Sequence, residues 1–231
     1  MAKHTQDKKT FNLPEVILGG QDGLVNVLGI ILGLAAATSS NHIVLVAGLA
    51  ATFAESISMA AVAYTSKIAE ADYYKSEYER EQKEIEEMPL IKKREVFELY
   101  ERYGFEEKEL NLIVEKIVSN KGLWTDIIME NKLRLEPINR ADVLPMAVIV
   151  GISAVVGSLV PILPFFFLPI SEAVILSLGI SAAALFFVGV YKAKKIAEQN
   201  ILKQGLEMMV IGMTAAVVGY AIGTFFQSKL Y

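Results

Sequence analysis

Residues 16–38 read VILGGQDGLVNVLGIILGLAAAT and residues 42–64 read HIVLVAGLAATFAESISMAAVAY, with only Ser39-Ser40-Asn41 between them. Each run carries a single carboxylate, Asp22 in the first and Glu55 in the second, and no Lys or Arg. A bilayer core takes about 20 predominantly apolar residues in helical form, so the two runs predict a tight antiparallel hairpin of membrane spans. Three further segments meet the same criterion: Val143–Pro164, Ile170–Tyr191 and Leu206–Phe226. Pro161, Pro164 and Pro169 punctuate the joint between the third and fourth, where proline is expected to end helices rather than cross them.

Outside these segments the charge gathers in one place. Lys67 to Arg140 holds 14 Lys/Arg and 18 Asp/Glu, a net −4, in a chain of 231 residues that is 53% apolar and 21% charged. The mean hydropathy is +0.42. This segregation predicts an all-α polytopic membrane protein with five transmembrane helices and a three-helix cytosolic insert between spans two and three. The corresponding ranges are 1–66, 67–140 and 141–231.

Within the insert, the first helix is expected to continue out of the second span through Tyr73, Tyr74 and Glu84 and to stop before Pro89. The second covers Ile91–Tyr103, closed by Gly104, and the third Glu106–Asn120. A short amphipathic stretch, Trp124–Leu135, then leads back to the membrane at Pro137, with Trp124 expected as an interfacial anchor. No segment shows a strand pattern.

Basic residues set orientation. Lys3, Lys8 and Lys9 precede the first span, Lys192, Lys194, Lys195 and Lys203 follow the fourth, and the opposite side has only Lys229. The expectation is N-terminus and insert in the cytosol and C-terminus outside. No cleavable signal and no organelle-targeting segment is visible, which predicts the plasma membrane of a prokaryote, with the first span retained. With no cysteine, and with His4 and His42 as the only histidines, both outside the spans, thiolate sites and histidine-based redox or hydrolytic sites are excluded. Phosphate loops, His-Glu-x-x-His and nucleophile elbows are lacking too. No enzyme, no prosthetic group and no nucleic-acid partner is expected.

Ionisable groups inside spans are costly unless paired, hydrated or lining a path. Asp22 lies ~10 Å in from Val16 and Glu55 ~14 Å in from Tyr64, at 1.5 Å per residue, so their depths in a hairpin match. Asn26 stands one turn from Asp22, and Met59 one turn from Glu55, while Glu15 sits at the entrance of the first span. Together they offer carboxylate, amide and thioether ligands, a set that suits Mn²⁺ or Fe²⁺ over Mg²⁺ or Ca²⁺. The bland alternative is that Asp22 caps a helix start and Glu55 bonds a neighbouring helix. Glycines 19, 23, 29 and 33 form two small-xxx-small pairs, suited to close helix approach or a dimer face. On the first insert helix, Glu77, Glu81, Glu84 and Met88 fall on one stripe, with Arg80 and Lys83 on neighbouring faces. Such a stripe is either a cation site or a solvated charged face.

These residues resemble the vacuolar iron transporters over nearly the whole chain. The likeness rests on Asp22-Gly23-Leu24, Ile57-Ser58-Met59-Ala60, Arg80-Glu81-Gln82 with Glu84-Ile85 and Pro89, and Tyr103-Gly104. Leu133-x-Leu135-Glu136 and Gly157-x-Leu159-x-Pro161 extend it. The resemblance implies a five-span homodimer that exchanges Fe²⁺, often Mn²⁺ too, for protons. It implies an insert that collects metal through glutamates and a methionine, and a route along the dimer interface. By position, Asp22 and Met59 match intramembrane ligands, Glu15 replaces an entrance aspartate, and Glu81, Glu84 and Glu95 match the insert site. The chain departs from the family at Ala51, whose glutamate appears one turn later as Glu55. It also departs at Lys92, Ile128 and Lys132, where Met129 and Glu130 stand nearby as substitutes.

The expected function is proton-coupled export of a divalent metal, with the ion, protons, the bilayer and a second copy as partners. A non-transporting scaffold or metal sensor acting through the insert is the alternative from another class, and an Mg²⁺ or Ca²⁺ carrier a third.

Overall fold

A computed structural model describes residues 13–196 and 200–230. The tail bearing Lys3, His4, Lys8 and Lys9, and the side chain of Lys229, lie outside the described residues. Among those described, every regular element is helical. In chain order they are α1 (Leu13–Ala37), α2 (Asn41–Glu87), α3 (Pro89–Arg102), α4 (Glu107–Val118), α5 (Lys121–Ile127), α6 (Arg140–Ile162), α7 (Ile170–Ile196) and α8 (Ile201–Leu230). A π-helical turn, Ile128–Lys132, follows α5, and a 3₁₀ turn, Leu163–Phe166, follows α6. Five of the helices (α1, α2, α6, α7 and α8) are long and apolar enough to cross a membrane. The chain separates into two compact units, one built from residues up to Tyr64 and from Leu144 on, the other from Thr65–Val143.

In the first unit α1 is the hub. Leu24, Val27, Leu28, Ile31 and Leu32 are buried on it at helical spacing. Val27, Leu28, Ile31 and Leu32 meet Val44, Ile162, Phe165, Ala173 and Ala216 in one apolar core. Two glycine edges bring other helices to backbone contact. A Cβ at Gly19 would lie 2.2 Å from the Val150 carbonyl oxygen, and one at Gly157 1.9 Å from that of Gly20, so α1 and α6 touch without side chains between them. Along α8 the same holds, since a Cβ added at Gly223 would run into the Gly33 carbonyl and one at Gly219 into that of Gly29. Glycines 19, 23, 29 and 33 thus serve close approach within the chain; of the two uses expected for them, this is the one that the structure displays.

Pro161 lies in the last turn of α6, which ends one residue later at Ile162, and the 3₁₀ turn carries the chain on. Its carbonyl accepts the hydroxyl of Ser177 on α7 at 2.8 Å, a side-chain bond that ties the turn to its neighbour.

The second unit begins partway along α2, which runs unbroken for 47 residues. It ends because Pro89 cannot continue the hydrogen-bond ladder and restricts the residue before it; Met88 accordingly leaves helical geometry, at φ −134° and ψ 54°. Gly104, at φ 89°, takes a conformation open to glycine and ends the α3 turn. Val96, Leu110, Val114, Ile117, Ile128 and Ile85 form the core of this unit, and Trp124 joins them at 6% exposure. Trp124 is therefore a core residue and not an interfacial anchor: α5 turns its indole onto α4, where the apolar faces of Val114 and Ile117 are available.

Packing at backbone distance predicts opposite outcomes for two glycines. Gly157→Val should lower the thermal midpoint of the detergent-solubilised protein, since overpacking costs ~1–3 kcal/mol or more. Gly179→Ala, with open space around its Cβ position, should hold or raise it, because Ala exceeds Gly in helix propensity by about 1 kcal/mol.

A polar cluster on the first two spans and a lysine-filled acidic cluster

Asp22 and Asn26 are one turn apart on α1, on the same helical stripe as Gly29 and Gly33 and nearer the N-terminal end of the helix. The Asn26 amide nitrogen donates to Asp22 Oδ2 at 3.3 Å and to Glu55 Oε1 of α2 at 3.0 Å. A single NH₂ group thus joins two carboxylates from different spans. Both carboxylates are acceptors only when ionised, so the amide must turn its nitrogen and not its oxygen toward them. Asp22 and Glu55 are half-buried and Asn26 is exposed on this unit.

Depth counting along the hairpin therefore brings together the residues it matched. What it missed is that Asn26 acts as the bridging donor, which the acceptor-only chemistry of its two neighbours would have signalled. Met59 is half-buried one turn beyond Glu55, and Glu15 is half-buried two turns before Asp22. Neighbouring hydroxyls are satisfied inside α2, with Thr52 donating to the Gly48 carbonyl at 2.9 Å and Ser56 to that of Thr52 at 2.6 Å. Beside Asn26 an apolar groove of about 530 Å³ follows α1 and α8, lined by Gly29, Gly33, Gly219, Gly223 and Phe226 among others.

In the second unit the glutamate stripe of α2 is met by cations. The break at Met88 folds α3 back so that Lys92 reaches Glu81, eleven positions earlier, at 2.7 Å. The Lys92 ammonium also pairs with Glu84 and, at 3.5 Å, with Glu95. Lys132 pairs with Glu95 at 2.8 Å. Arg80, on the neighbouring face, reaches the stripe at ordinary helical spacings, its guanidinium 2.6 Å from Glu77, 3.6 Å from Glu81 and 3.5 Å from Glu84. Residues three and four apart are neighbours on a helix surface, which places Glu77 and Glu84 within its reach.

Glu81 is 1% exposed and Lys92 3%. Burial works against the Lys92 ammonium, but hydrogen bonds to Glu81 and Glu84 and the charges of Glu81 and Glu95 outweigh it and hold its pKa above the ordinary lysine value. The hydrogen bond from Lys92, aided by the charges of Lys92, Arg80 and Lys132, overcomes partial burial and keeps Glu84 below the usual carboxyl range. Met129 is buried whereas Glu130 is exposed, so the two do not present one face. Among the described residues no group of three or more His, Asp or Glu side chains is arranged to hold a metal ion.

Five apolar helices and a carboxylate–amide–carboxylate cluster on the first two define a polytopic membrane protein with an intramembrane polar site. The chain belongs to the VIT family, whose model matches residues 13–224. It is 32% identical to vacuolar iron transporter 1 of Oryza sativa subsp. japonica over 216 residues, 93% of this chain and 85% of that one. It is 32% identical to vacuolar iron transporter 1 of Arabidopsis thaliana over 214 residues, 92% and 85% of the two chains. The vacuolar iron transporter of Plasmodium falciparum is 26% identical over 237 residues, 98% and 86%. These relatives are eukaryotic and vacuolar by name, and they lend no support to a prokaryotic plasma membrane.

The acidic cluster makes the second unit sensitive to pH at both ends. A depressed Glu84 contributes stability that is full above its unfolded pKa and lost as pH falls through its folded one. A raised Lys92 contributes stability that is full below its unfolded pKa and lost as pH rises through its folded one. Trp124 is the single tryptophan of the chain, so its emission reports on this unit alone. Its emission maximum and its shielding from acrylamide should stay constant through neutral pH, then shift toward the solvent-exposed signature in strong acid and in strong base.

Proposed function

We propose that this protein is a metal transporter that moves Fe²⁺, and Mn²⁺ as a second substrate, out of the cytosol in exchange for protons. The observation that carries this is the convergence of Asp22, Asn26 and Glu55 at one point between two spans, in a chain of the VIT family. Two carboxylates at that depth demand a compensating cation or proton. The Asn26 amide serves as partial compensation while the site is empty.

An arriving divalent ion draws both carboxylates to itself, and the amide that bridged them is released. Met59 adds a thioether one turn away, which favours Fe²⁺ or Mn²⁺ over the harder Mg²⁺ and Ca²⁺. Glu15, two turns toward the N-terminal end of α1, receives the ion first. Metal and proton compete for the same oxygens, since ligation requires the deprotonated carboxylate. An acidic far side therefore strips the ion and returns the site protonated, which is the chemistry of antiport.

The chain works as a homodimer with the N-terminus and the insert in the cytosol and the C-terminus outside. Support for the dimer comes from the exposure of Asn26 and the neighbouring apolar groove: a polar amide facing lipid is costly, and a second copy relieves that cost. Support for the orientation comes from the basic residues in the last turn of α7, Lys194 and Lys195.

Flux into liposomes under an imposed pH gradient tests the mechanism. Wild type should admit Fe²⁺ and Mn²⁺ in proportion to the gradient, and Asp22→Asn/Glu55→Gln should abolish that flux while leaving the protein folded. Met59→Leu should weaken Fe²⁺ and Mn²⁺ transport by about tenfold, the order expected for losing one contact of ~1.4 kcal/mol. Flux that survives the double substitution, or no flux of any divalent ion from folded wild type, would reject the proposal.

A further inference from the structure

The glutamate cluster of the second unit has a composition that the intramembrane site does not share. Glu77, Glu81, Glu84 and Glu95 contribute four negative charges, and Arg80, Lys92 and Lys132 contribute three positive ones, a sum of −1. At its centre stands one ammonium, facing three carboxylates. Lys92 has three N–H donors and no acceptor, and three acids is the number that such a group can satisfy.

We propose that the Lys92 ammonium is the resident cation of this cluster, so that the insert is complete without a divalent metal and the glutamates hold the lysine in place of a captured ion. Three observations converge on this. Lys92 is 3% exposed and Glu81 1%, so the pair is sealed from water, and an incoming ion would first have to expel a buried side chain. With Lys92 in place, a divalent ion bound to Glu81 and Glu84 would lie within a few ångströms of a like charge, a repulsion that poor local screening magnifies. Arg80 flanks Glu77 and Glu84, and Lys132 flanks Glu95, so positive charge lines the approach to the cluster. The directions of the Lys92 and Glu84 shifts agree, because both favour the charged pair over neutral partners.

The arrangement arises from the local fold. Glu81 and Glu84 lie within two turns of the end of α2, and Lys92 and Glu95 lie at the start of α3. The Met88–Pro89 break reverses the chain between them. A tethered cation in that position locks the reversal as a bound ion would, with no dependence on its concentration. This inference rests on the insert alone and stands whether or not Asp22 and Glu55 carry an ion.

The test uses the full chain in detergent, with Trp124 emission reporting thermal unfolding of the insert and equilibrium dialysis counting bound Mn²⁺. For wild type, the Trp124 midpoint should be the same in a chelator and in saturating Mn²⁺. Lys92→Gln leaves Glu81 buried without its partner and should lower the midpoint in chelator, by on the order of 10 °C. Mn²⁺ should restore it, and the variant should bind one more ion per chain than wild type. Lys92→Arg should remain indifferent to Mn²⁺. The proposal is overturned if Mn²⁺ raises the wild-type midpoint and Glu81→Gln/Glu84→Gln removes that rise. It is equally overturned if Lys92→Gln is destabilised and Mn²⁺ neither binds nor rescues it, since the cluster would then be an ion-pair lattice with no cation position. Should Lys92→Gln fail to fold in either condition, the wild-type comparison decides alone.

Discussion

Backbone-to-backbone contact along α1 is the constraint from which the first unit follows. Helices that cross hydrocarbon gain little from burying apolar side chains against each other, because lipid is equally apolar; they associate where small residues permit close approach. In α1, Gly19 and Gly23 face α6, and Gly29 and Gly33 face α8. Both edges are filled by main-chain atoms of the neighbours, and substitution at either forces helices apart. Asp22 and Asn26 continue the Gly29–Gly33 stripe toward the N-terminal end of α1, and the short joint to α2 brings Glu55 to them. The polar site thus lies about one turn before the contact with α8, and Asn26 lines the groove beside that contact.

The second unit is organised on a different principle. It has an apolar core that includes the single tryptophan, and an ion-paired cluster at the fold between α2 and α3. Buried ion pairs return little net stability, because desolvation offsets most of the attraction, but breaking one side is costly. Their value here lies in specifying the chain reversal: Lys92 satisfies Glu81 and Glu84 in one arrangement of the two helices.

Much of this was legible in the residues. Five apolar runs became five long helices, Pro89 ended α2, and the matched depths of Asp22 and Glu55 became a shared hydrogen-bond donor. Hydropathy and proline act locally, and depth in a hairpin is simple arithmetic, so such features survive folding. Less legible was whatever depends on one helix meeting another. Lys92 pairs across a helix break, at a separation that no helical period describes. Trp124 has the composition of an interfacial anchor until α4 is seen to offer it a core. Pro161 is expected to mark the end of a helix, and α6 does end one residue later, but that a serine from α7 engages its carbonyl could not be read from the chain.

The brevity of the joint between α1 and α2 has a consequence for biosynthesis. A carboxylate at the centre of a lone span carries an insertion penalty of roughly 2.5–3.5 kcal/mol. Presented singly, the apolar half of α2 would bear close to that penalty at Glu55, and α1 a smaller one at Asp22, nearer the end of its span. With three residues between 16–38 and 42–64, the two spans leave the ribosome almost together and can partition into lipid as a helical hairpin, with Asn26 already bonded to both acids. The polar contact that marks the site in the finished protein thus also eases its passage out of the translocon, and lengthening the joint would separate these two events in time.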